Sequence, residues 1–479
     1  MYSFVSLRSH NWCLLVVVSA LICLFVPPLV TAQTTASGYF NQHWGDAFDE
    51  EFPPRERYFL TDAAGDMREL LLSSSLAAKS DLLRGFIGKA VSVTAEQSMS
   101  RSSSGSTPAL FVTSISLNED SSVALREAGV SGNQPWVSIM CKFADTPTEP
   151  RNLAYFSSMY SSAYPGLDHY WREASYDRVN ISGSSAHGWY TLPRERSYYV
   201  SGGSLNFDEI TNDCIALADS DVFFPTYAGI NLMFNDDLDG YAWGGSSYLV
   251  VDGQGKTYRM TWEPPWGYKD ITVLAHEMGH GFGMPHSSGD YGLVYDNDWD
   301  VMSNPWANCG AAFHPTYGCL GQHTIGYHRL LVGWLLPERV YTFNGSTRTI
   351  TLERITQPLS SGYLLAKVPI GTSSGHFYTV EVRQRQGYDV KLAAEAVIIH
   401  EVDTSRRRPA RIVDIDGDGD TGDGGARWST GETFVDQAND ICISIVARTG
   451  SAYTLRLGCE SPLKSGRATT APINLLLLR

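Results

Sequence analysis

The sequence predicts an α+β protein, with β-rich regions on both sides of a mixed central domain. Strand-like runs dominate both flanks, and the centre adds helices, one of which carries a histidine motif. The 479 residues suffice for two or three domains, and 43% apolar with 18% charged residues is typical of packed globular folds. A formal net charge of −15 argues against nucleic acid or an anionic membrane surface as the main partner.

The first 32 residues have the pattern of a secretory signal peptide. Arg8 precedes an apolar run over residues 13–26, Pro27 and Pro28 break that run, and residues 30–32 form a small-residue cleavage pattern. An uncleaved membrane anchor is the alternative, since the run nearly spans a bilayer. The prolines and the cleavage pattern favour a signal peptide, and therefore a secreted protein without a stable membrane span.

The cysteines that follow predict disulfide bonds. Six remain after Ala32, at positions 141, 214, 309, 319, 442 and 459. An even number in an exported chain indicates pairing, with about 15 formal connectivities. Closeness in sequence favours Cys309–Cys319 and Cys442–Cys459, which leaves Cys141–Cys214. Six free thiols suit an oxidising compartment poorly.

The flanking regions are predicted to be mostly strands. Residues 33–133 contain β-like runs at 90–93 and 110–115, and their position before the central domain suggests a propeptide. Residues 338–460 hold several short strand-like runs separated by turn signals, which predict a β-sandwich-like domain. A loose tail is expected over residues 461–479.

The central domain, residues 134–337, mixes both element types. Strands are expected at 136–143 and 230–234, and at 248–251 and 258–262 around a turn. Helices are expected at 152–164 and 324–335, and over Ile271–Gly281 with Asp270 as its N-cap.

The sequence HEMGHGFGMPH, residues 276–286, carries the chemistry. Residues four apart on a helix share a face, so His276 and His280 can bind one ion. Gly283 can end the helix with a positive φ, which allows His286 to supply a third nitrogen. Three protein ligands and one open position are typical of catalytic zinc. Glu277 can then act as general base on a metal-activated water.

This motif resembles that of the metzincin zinc metallopeptidases. The resemblance implies a zincin-type catalytic domain and a methionine in a tight turn beneath the metal. Met302, in the stretch of residues 300–305, fits that role. An ordinary core methionine is the alternative reading of Met302, and the upstream motif favours the Met-turn.

Within that group, the chain resembles the immune inhibitor A and gametolysin-like secreted peptidases over about residues 136–340. Residues 170–175, 188–193 and 333–334 carry this likeness. Immune inhibitor A-like enzymes often have aspartate as third ligand, so His286 is closer to gametolysin. Serralysin-like members place a tyrosine two residues after the Met-turn methionine, where this chain has Asn304.

The resemblance also bears on latency, because some metzincins are silenced by a propeptide cysteine that caps the zinc. No cysteine lies between Ala32 and Cys141. If residues 33–130 inhibit, they must do so sterically, through a carboxylate or through His43.

A second acidic motif predicts a calcium loop. Asp414, Asp416, Asp418 and Asp420 alternate with small residues and open like an EF-hand loop. Gly425 stands where the bidentate glutamate of that motif should be. A plain solvated turn is therefore the alternative.

Together these patterns predict a secreted zinc-dependent endopeptidase acting on protein or peptide substrates. One alternative is a non-peptide zinc hydrolase on the same scaffold. Another is a non-catalytic secreted adhesion or binding protein that retains a structural metal.

Overall fold

Strands make up most of the regular structure, and the fold is a β-rich mixed one, as the sequence predicts. The computed structural model describes residues 33–49, 51–97, 108–118 and 129–459. The predicted signal peptide, residues 1–32, and the predicted tail, residues 461–479, lie outside these ranges. Within the described ranges, no helix combines the length and the apolar character needed to cross a bilayer.

The N-terminal strands close on themselves around a small core. Their elements are β1 (Gln33–Asp46), β2 (Arg55–Thr61), β3 (Met67–Leu72), α1 (Ser74–Ala77), α2 (Ser80–Arg84), β4 (Ala90–Gln97) and β5 (Leu110–Leu117). The first half of β1 pairs with β4 and its second half with β2, while β3 and β5 complete the ring. Alternating side chains such as Phe40, Leu60 and Val93 fill its interior.

The central region is built on a twisted sheet with helices on both faces. Its strands are β6 (Gly132–Asn133), β7 (Trp136–Lys142), β8 (Val179–Asn180), β9 (Ser185–Thr191), β10 (Val200–Ser201), β11 (Ser204–Leu205), β12 (Gly229–Phe234), β13 (Ala242–Val251), β14 (Gln254–Glu263), β15 (Phe313–His314) and β16 (Gly318–Cys319). Its helices are α3 (Leu153–Met159), α4 (Leu167–Ser175), α5 (Arg196–Tyr199), α6 (Phe207–Ala218), α7 (Pro265–Lys269), α8 (Ile271–Gly281) and α9 (Gly326–Leu331).

The order of the strands places β13 beside the N-terminal region. The sheet runs β9-β7-β12-β14-β13, parallel except for β13, which is antiparallel to β14. On its other side β13 pairs with β1, so ten strands form one continuous sheet. Buried side chains of α3, α4 and α8 form one core, and those of α6 form a second core with Trp243 and Trp262.

The C-terminal region consists of two sheets that share one core. Its strands are β17 (Val340–Thr342), β18 (Arg348–Glu353), β19 (Leu365–Pro369), β20 (His376–Arg383), β21 (Ala396–Asp403), β22 (Ala410–Ile412), β23 (Thr433–Asp436), β24 (Ile441–Thr449) and β25 (Ala452–Leu457). The sheets are β17-β19-β20-β21-β22 and β18-β25-β24-β23. Val380 and Val397 of the first pack with Ile443 and Leu455 of the second.

All three favoured disulfides are present. Cys141 on β7 is bonded to Cys214 on α6, Cys309 to Cys319, and Cys442 to Cys459. The first of these ties the central sheet to the helix that covers one of its faces.

Helix α8 has the predicted bounds, but its predicted cap works differently. Asp270 occupies the N-cap position without a side-chain cap bond, and its Oδ1 accepts instead from the Cys319 backbone N–H at 2.8 Å. Two other helices are shorter than predicted, α3 ending at Met159 and α9 beginning at Gly326. The residues before α9 are held outside the helix, because Thr324 donates to Asp300 at 2.9 Å.

Candidate metal centre

Helix α8 places two histidines on one face and lies close against the sheet. The close approach depends on Gly244 in β13, where a Cβ atom would lie 2.8 Å from both the Cα and the Oε2 of Glu277. The helix ends at Gly281, and Gly283 adopts a φ of 93°. The chain therefore turns back within a few residues and returns His286 to the face that carries His276 and His280.

The three imidazoles converge on one point. The Nε2 atoms of His276 and His280 are 3.1 Å apart, those of His280 and His286 are 3.1 Å apart, and those of His276 and His286 are 3.3 Å apart. A tetrahedral ion with metal–nitrogen bonds of about 2.0–2.1 Å would separate its ligand nitrogens by about 3.3 Å. The three ring nitrogens therefore have the spacing that such an ion needs.

Backbone carbonyls orient two of the rings. The Nδ1 of His276 lies 2.6 Å from the Val301 carbonyl oxygen, and the Nδ1 of His280 lies 2.8 Å from that of Met284. Each Nδ1 therefore carries the proton, which leaves the Nε2 lone pair facing the centre. Burial lowers the pKa of His286 to about 3 and also lowers that of His280, so both imidazoles are neutral.

A fourth group comes from the N-terminal region. Asp46, the last residue of β1, has its Oδ1 2.9 Å from the Nε2 of His286. Its Oδ2 lies 3.4 Å from the Nε2 of His276 and 3.3 Å from that of His280, and the residue is fully buried.

Unsatisfied polar atoms at the centre are of the kind that a bound cation would satisfy. The Oδ2 of Asp46 and both carboxylate oxygens of Glu277 are buried without a hydrogen-bond partner among the described residues. Leaving such groups unpaired costs about 1–3 kcal/mol or more each. A metal ion and its water would satisfy them, so Asp46, His276, His280 and His286 form a group that can hold a metal ion.

Glu277 is beside the centre but outside its ring of nitrogens. One residue after His276, it is rotated by about 100° around the helix axis. Burial raises the pKa of its carboxyl well above the usual value, and the carboxyls of Asp46 and Glu263 raise it further. Glu263, the last residue of β14, is a second fully buried carboxyl without a hydrogen-bond partner among the described residues.

The predicted methionine lies under the histidine helix. Met302 is fully buried, and a Cβ at Gly279 would lie 3.2 Å from its Cε and closer still to its Sδ. Asp300 fixes this turn, because its Oδ1 accepts from the Met302 N–H at 3.1 Å and from Thr324 at 2.9 Å.

Sequence reasoning missed three residues at this centre. Asp46 belongs to no local sequence motif. Nothing in the sequence distinguishes Trp44 and Tyr295 from other aromatic residues of the chain. The Tyr295 hydroxyl donates to the Oδ1 of Asp46 at 2.6 Å. His43, by contrast, is directed away from the centre, since its Nε2 contacts Ser246 and Ser247 on the opposite face of β1.

The acidic loop gathers four carboxylates, with one change from the predicted set. Asp414, Asp416 and Asp418 lie together, and the fourth member is Asp423 instead of Asp420. The Oδ1 of Asp420 accepts from the Gly422 N–H at 3.0 Å within its own turn.

Comparisons with known proteins leave the family of this chain open. No protein-family model matches the sequence, and no curated protein matches it. Among solved structures, the crystal structure of wild-type OgpA from Akkermansia muciniphila covers 58% of this chain and 86% of its own, at 9% identity and a TM-score of 0.26. Such a low score supports no argument about function.

Proposed function

We propose that the protein is a secreted zinc-dependent endopeptidase, with His276, His280 and His286 as metal ligands and Glu277 as general base. One observation carries the proposal. An unpaired, fully buried carboxylate lies beside three imidazoles whose Nε2 atoms have tetrahedral spacing. An arrangement of this kind is typical of metal-assisted hydrolysis.

The chain's own residues would handle the protons of the reaction. When bound, zinc would supply Lewis-acid chemistry, because it polarises a carbonyl and makes water more acidic. Glu277 accepts the proton of the water that attacks the peptide carbonyl, and then donates it to the leaving amine nitrogen. The carbonyls of Val301 and Met284 keep the ligand rings in place during the reaction.

Glu277 also separates this proposal from one of its two rivals. A binding protein with a structural metal would gain nothing from the Glu277 carboxylate, because a buried and unpaired carboxylate lowers the stability of the fold. A non-peptide hydrolase would use the same base, and the difference lies in the substrate. The pairing of β1 with β13 favours a peptide, because β1 is itself an extended chain hydrogen-bonded to the strand beside the centre.

The test is cleavage of casein by the purified protein, with and without a zinc chelator, for Glu277→Ala and for the matched variant Glu338→Ala. Glu338 is exposed and distant in sequence from the motif. We expect chelator-sensitive cleavage that Glu277→Ala abolishes and Glu338→Ala retains. Zinc bound at one equivalent without cleavage of casein, even after displacement of β1, would contradict the peptidase function.

The disulfides and the N-terminal pattern support the proposal that the protein is secreted. Three disulfide bonds are typical of an oxidising compartment such as the extracellular space. N-terminal sequencing of the protein from culture medium is expected to begin at Gln33.

A calcium ion is proposed as a second cofactor, bound by Asp414, Asp416, Asp418 and Asp423. Ligand oxygens of these residues lie within 4.8 Å of one another. Asp414 is only 7% exposed, and its Oδ1 has no hydrogen-bond partner among the described residues. A buried, unpaired carboxylate beside three others would be stabilised by a hard cation, which prefers oxygen ligands.

The surroundings of this loop also explain Gly425. A Cβ at Gly425 would lie 2.6 Å from the Oδ1 of Asp416 and closer to that of Asp414, so the glutamate of an EF-hand would not fit. The same loop is fastened to the segment that precedes the Met-turn, since Thr421 donates to the Asp296 carbonyl at 2.6 Å. Trp299 donates in turn to the Thr421 carbonyl at 2.7 Å.

Calcium is therefore expected to stabilise the metal centre as well as the loop. Thermal unfolding of zinc-loaded protein would be measured with and without calcium, for wild type, Asp416→Asn and the matched variant Asp420→Asn. At 100 times its dissociation constant a ligand adds about 2.7 kcal/mol to the free energy of unfolding. Stabilisation that Asp420→Asn keeps and Asp416→Asn loses supports the site, and equal behaviour of all three proteins contradicts it.

A further inference from the structure

Strand β1 occupies the sheet edge that faces the metal centre. It pairs with β13 from His43 opposite Gly245 to Asp46 opposite Ala242. On its other side β13 pairs with β14 along almost its whole length. If β1 left, the β13 backbone would become a free edge with unpaired N–H and C=O groups, ready to accept another extended chain.

The alternation of β1 directs two side chains onto the centre. Trp44 and Asp46 share a face because residues two apart on a strand do so. The Trp44 ring stacks on the His280 imidazole, with centroids 4.8 Å apart and planes 6° apart. Asp46 brings its carboxylate to the Nε2 atoms of all three ligands, at 2.9 to 3.4 Å.

The residues that follow β1 also lie over the metal centre. Phe48 has a φ of 51°, a left-handed conformation that costs a bulky residue about 1–2 kcal/mol. Its ring meets the His276 imidazole edge-on, with centroids 4.8 Å apart, and also contacts Trp306. Residues 44–48 therefore close the centre, where His276 and Asp46 are fully buried.

Tyr295 holds the carboxylate in place. Its hydroxyl donates to the Oδ1 of Asp46 at 2.6 Å, while its ring lies 6.0 Å from that of His286. The Tyr295 hydroxyl and the His286 Nε2 therefore share one carboxylate oxygen. A hydrogen bond to an ionised carboxylate is about twice as strong as a neutral one.

The N-terminal region is also fastened to the C-terminal region. Glu56 forms an ion pair with Arg407, and Thr404 donates to the Oδ2 of Asp81 at 2.7 Å. Arg84 donates to the carbonyls of Thr404 and Arg406. The ring of N-terminal strands is thus held from two sides, by β13 and by the loop of residues 404–407.

We propose that the ring of N-terminal strands β1–β5 is a built-in inhibitor, in which β1 fills the substrate's place along β13 and Asp46 fills the open ligand position. The inference rests on the proposed peptidase function and adds its regulation and its substrate class. In the folded protein β1 slows cleavage without abolishing it. Loss of the Asp46 carboxylate or displacement of β1 raises the rate, because an extended, unfolded stretch of a protein substrate can then add to the edge of β13.

The test measures whether the fourth ligand position is free, and it does not depend on catalytic activity. The zinc-loaded full chain would be titrated by calorimetry with a short peptide hydroxamate, a bidentate metal-binding probe. Wild type would be compared with Asp46→Ala, with the isosteric Asp46→Asn, and with Asp66→Asn as a matched control on an exposed turn of the same region. In parallel, cobalt(II) would replace zinc, and its visible spectrum would report the loss of a carboxylate ligand.

We expect both Asp46 variants to bind the hydroxamate at least tenfold more tightly than wild type, and to change the cobalt spectrum. Asp66→Asn should behave like wild type in both measurements. The proposal is overturned if Asp46→Asn and Asp46→Ala have wild-type affinity and a wild-type spectrum. The use of two variants covers the case in which Asp46→Ala fails to fold.

Casein cleavage distinguishes the failure of this inference from that of the proposed function. If the Asp46 variants bind the hydroxamate more tightly but do not cleave casein, Asp46 occupies the ligand position and the protein is not a peptidase. If wild type cleaves casein as fast as the Asp46 variants, the protein is a peptidase and the N-terminal strands do not inhibit it.

Discussion

Gly244 controls how closely helix α8 approaches the sheet, so the substitution Gly244→Ala tests the geometry of the centre. The new Cβ would lie 2.8 Å from the Cα and from the Oε2 of Glu277, and closer to the Glu277 carbonyl oxygen. Two of these three atoms belong to the backbone of a helix that is buried from Ile271 to His280, so they cannot turn aside as the end of a side chain can.

The magnitude follows from two opposing effects. Replacing glycine by alanine reduces the conformational freedom of the unfolded chain and stabilises by about 0.4–1 kcal/mol. Overpacking of a rigid core costs about 1–3 kcal/mol, and backbone overlap places Gly244→Ala at the upper end. We therefore expect the free energy of unfolding to fall by about 2 kcal/mol.

Equilibrium urea unfolding followed by tryptophan fluorescence measures this difference. The matched variant is Gly310→Ala, because Gly310 is exposed, lacks a positive φ and has open space within 4 Å of where a Cβ would stand. Its free energy of unfolding should stay within about 0.5 kcal/mol of wild type. Equal stabilities for Gly244→Ala and Gly310→Ala would refute the close approach of α8 to β13.

Three further predictions concern single side chains. Burial lowers the pKa of His400 to about 3 from its ordinary value of 6.5, although Asp300 opposes the shift. As the pH falls below 6.5 the unfolded chain takes up a proton that the folded protein does not. Between pH 7.5 and pH 5, the free energy of unfolding should therefore fall by about 2 kcal/mol more in wild type than in His400→Gln. An equal fall in the two proteins, measured by urea unfolding at both pH values, would contradict this. Met302→Ala should cost about 2–5 kcal/mol in urea unfolding, because Met302 is fully buried under α8, and a loss below 1 kcal/mol would argue against its packing there. Tyr295→Phe removes the hydroxyl that holds Asp46, so the dissociation constant for the peptide hydroxamate should fall about tenfold, whereas an unchanged constant would exclude this role.

The parts of the centre that the sequence predicts are local in the chain. His276 and His280 lie one turn apart on a helix whose bounds were predicted, and Gly283 supplies the positive φ that returns His286. Local spacing therefore determined three of the four groups. The favoured disulfides followed the same logic, since Cys309–Cys319 and Cys442–Cys459 each close a short loop.

The parts that were missed depend on pairing between distant segments. Asp46 reaches the centre only because β1 pairs with β13 in one register, and a shift by one residue would turn its side chain to the other face. Nothing in the sequence around Asp46 indicates that register. The side chain of Asp270 was likewise captured by a distant backbone group, the Cys319 N–H, rather than by its own helix.

The acidic loop shows the same limit on a smaller scale. Its alternating aspartates predicted a ligand cluster, but they did not determine where the loop turns. The Gly425 backbone lies against Asp414 and Asp416, and the preceding turn brings Asp423 rather than Asp420 into the group.

The most direct test of the central claim measures zinc content and casein cleavage on the same samples of Asp46→Ala and of Asp46→Ala combined with Glu277→Ala. Both proteins should hold one zinc per chain, because neither change removes a histidine ligand. We predict that the single variant cleaves casein and that the double variant does not. Equal cleavage by both, or a lack of zinc in both, would contradict an endopeptidase with three histidine ligands and Glu277 as its base.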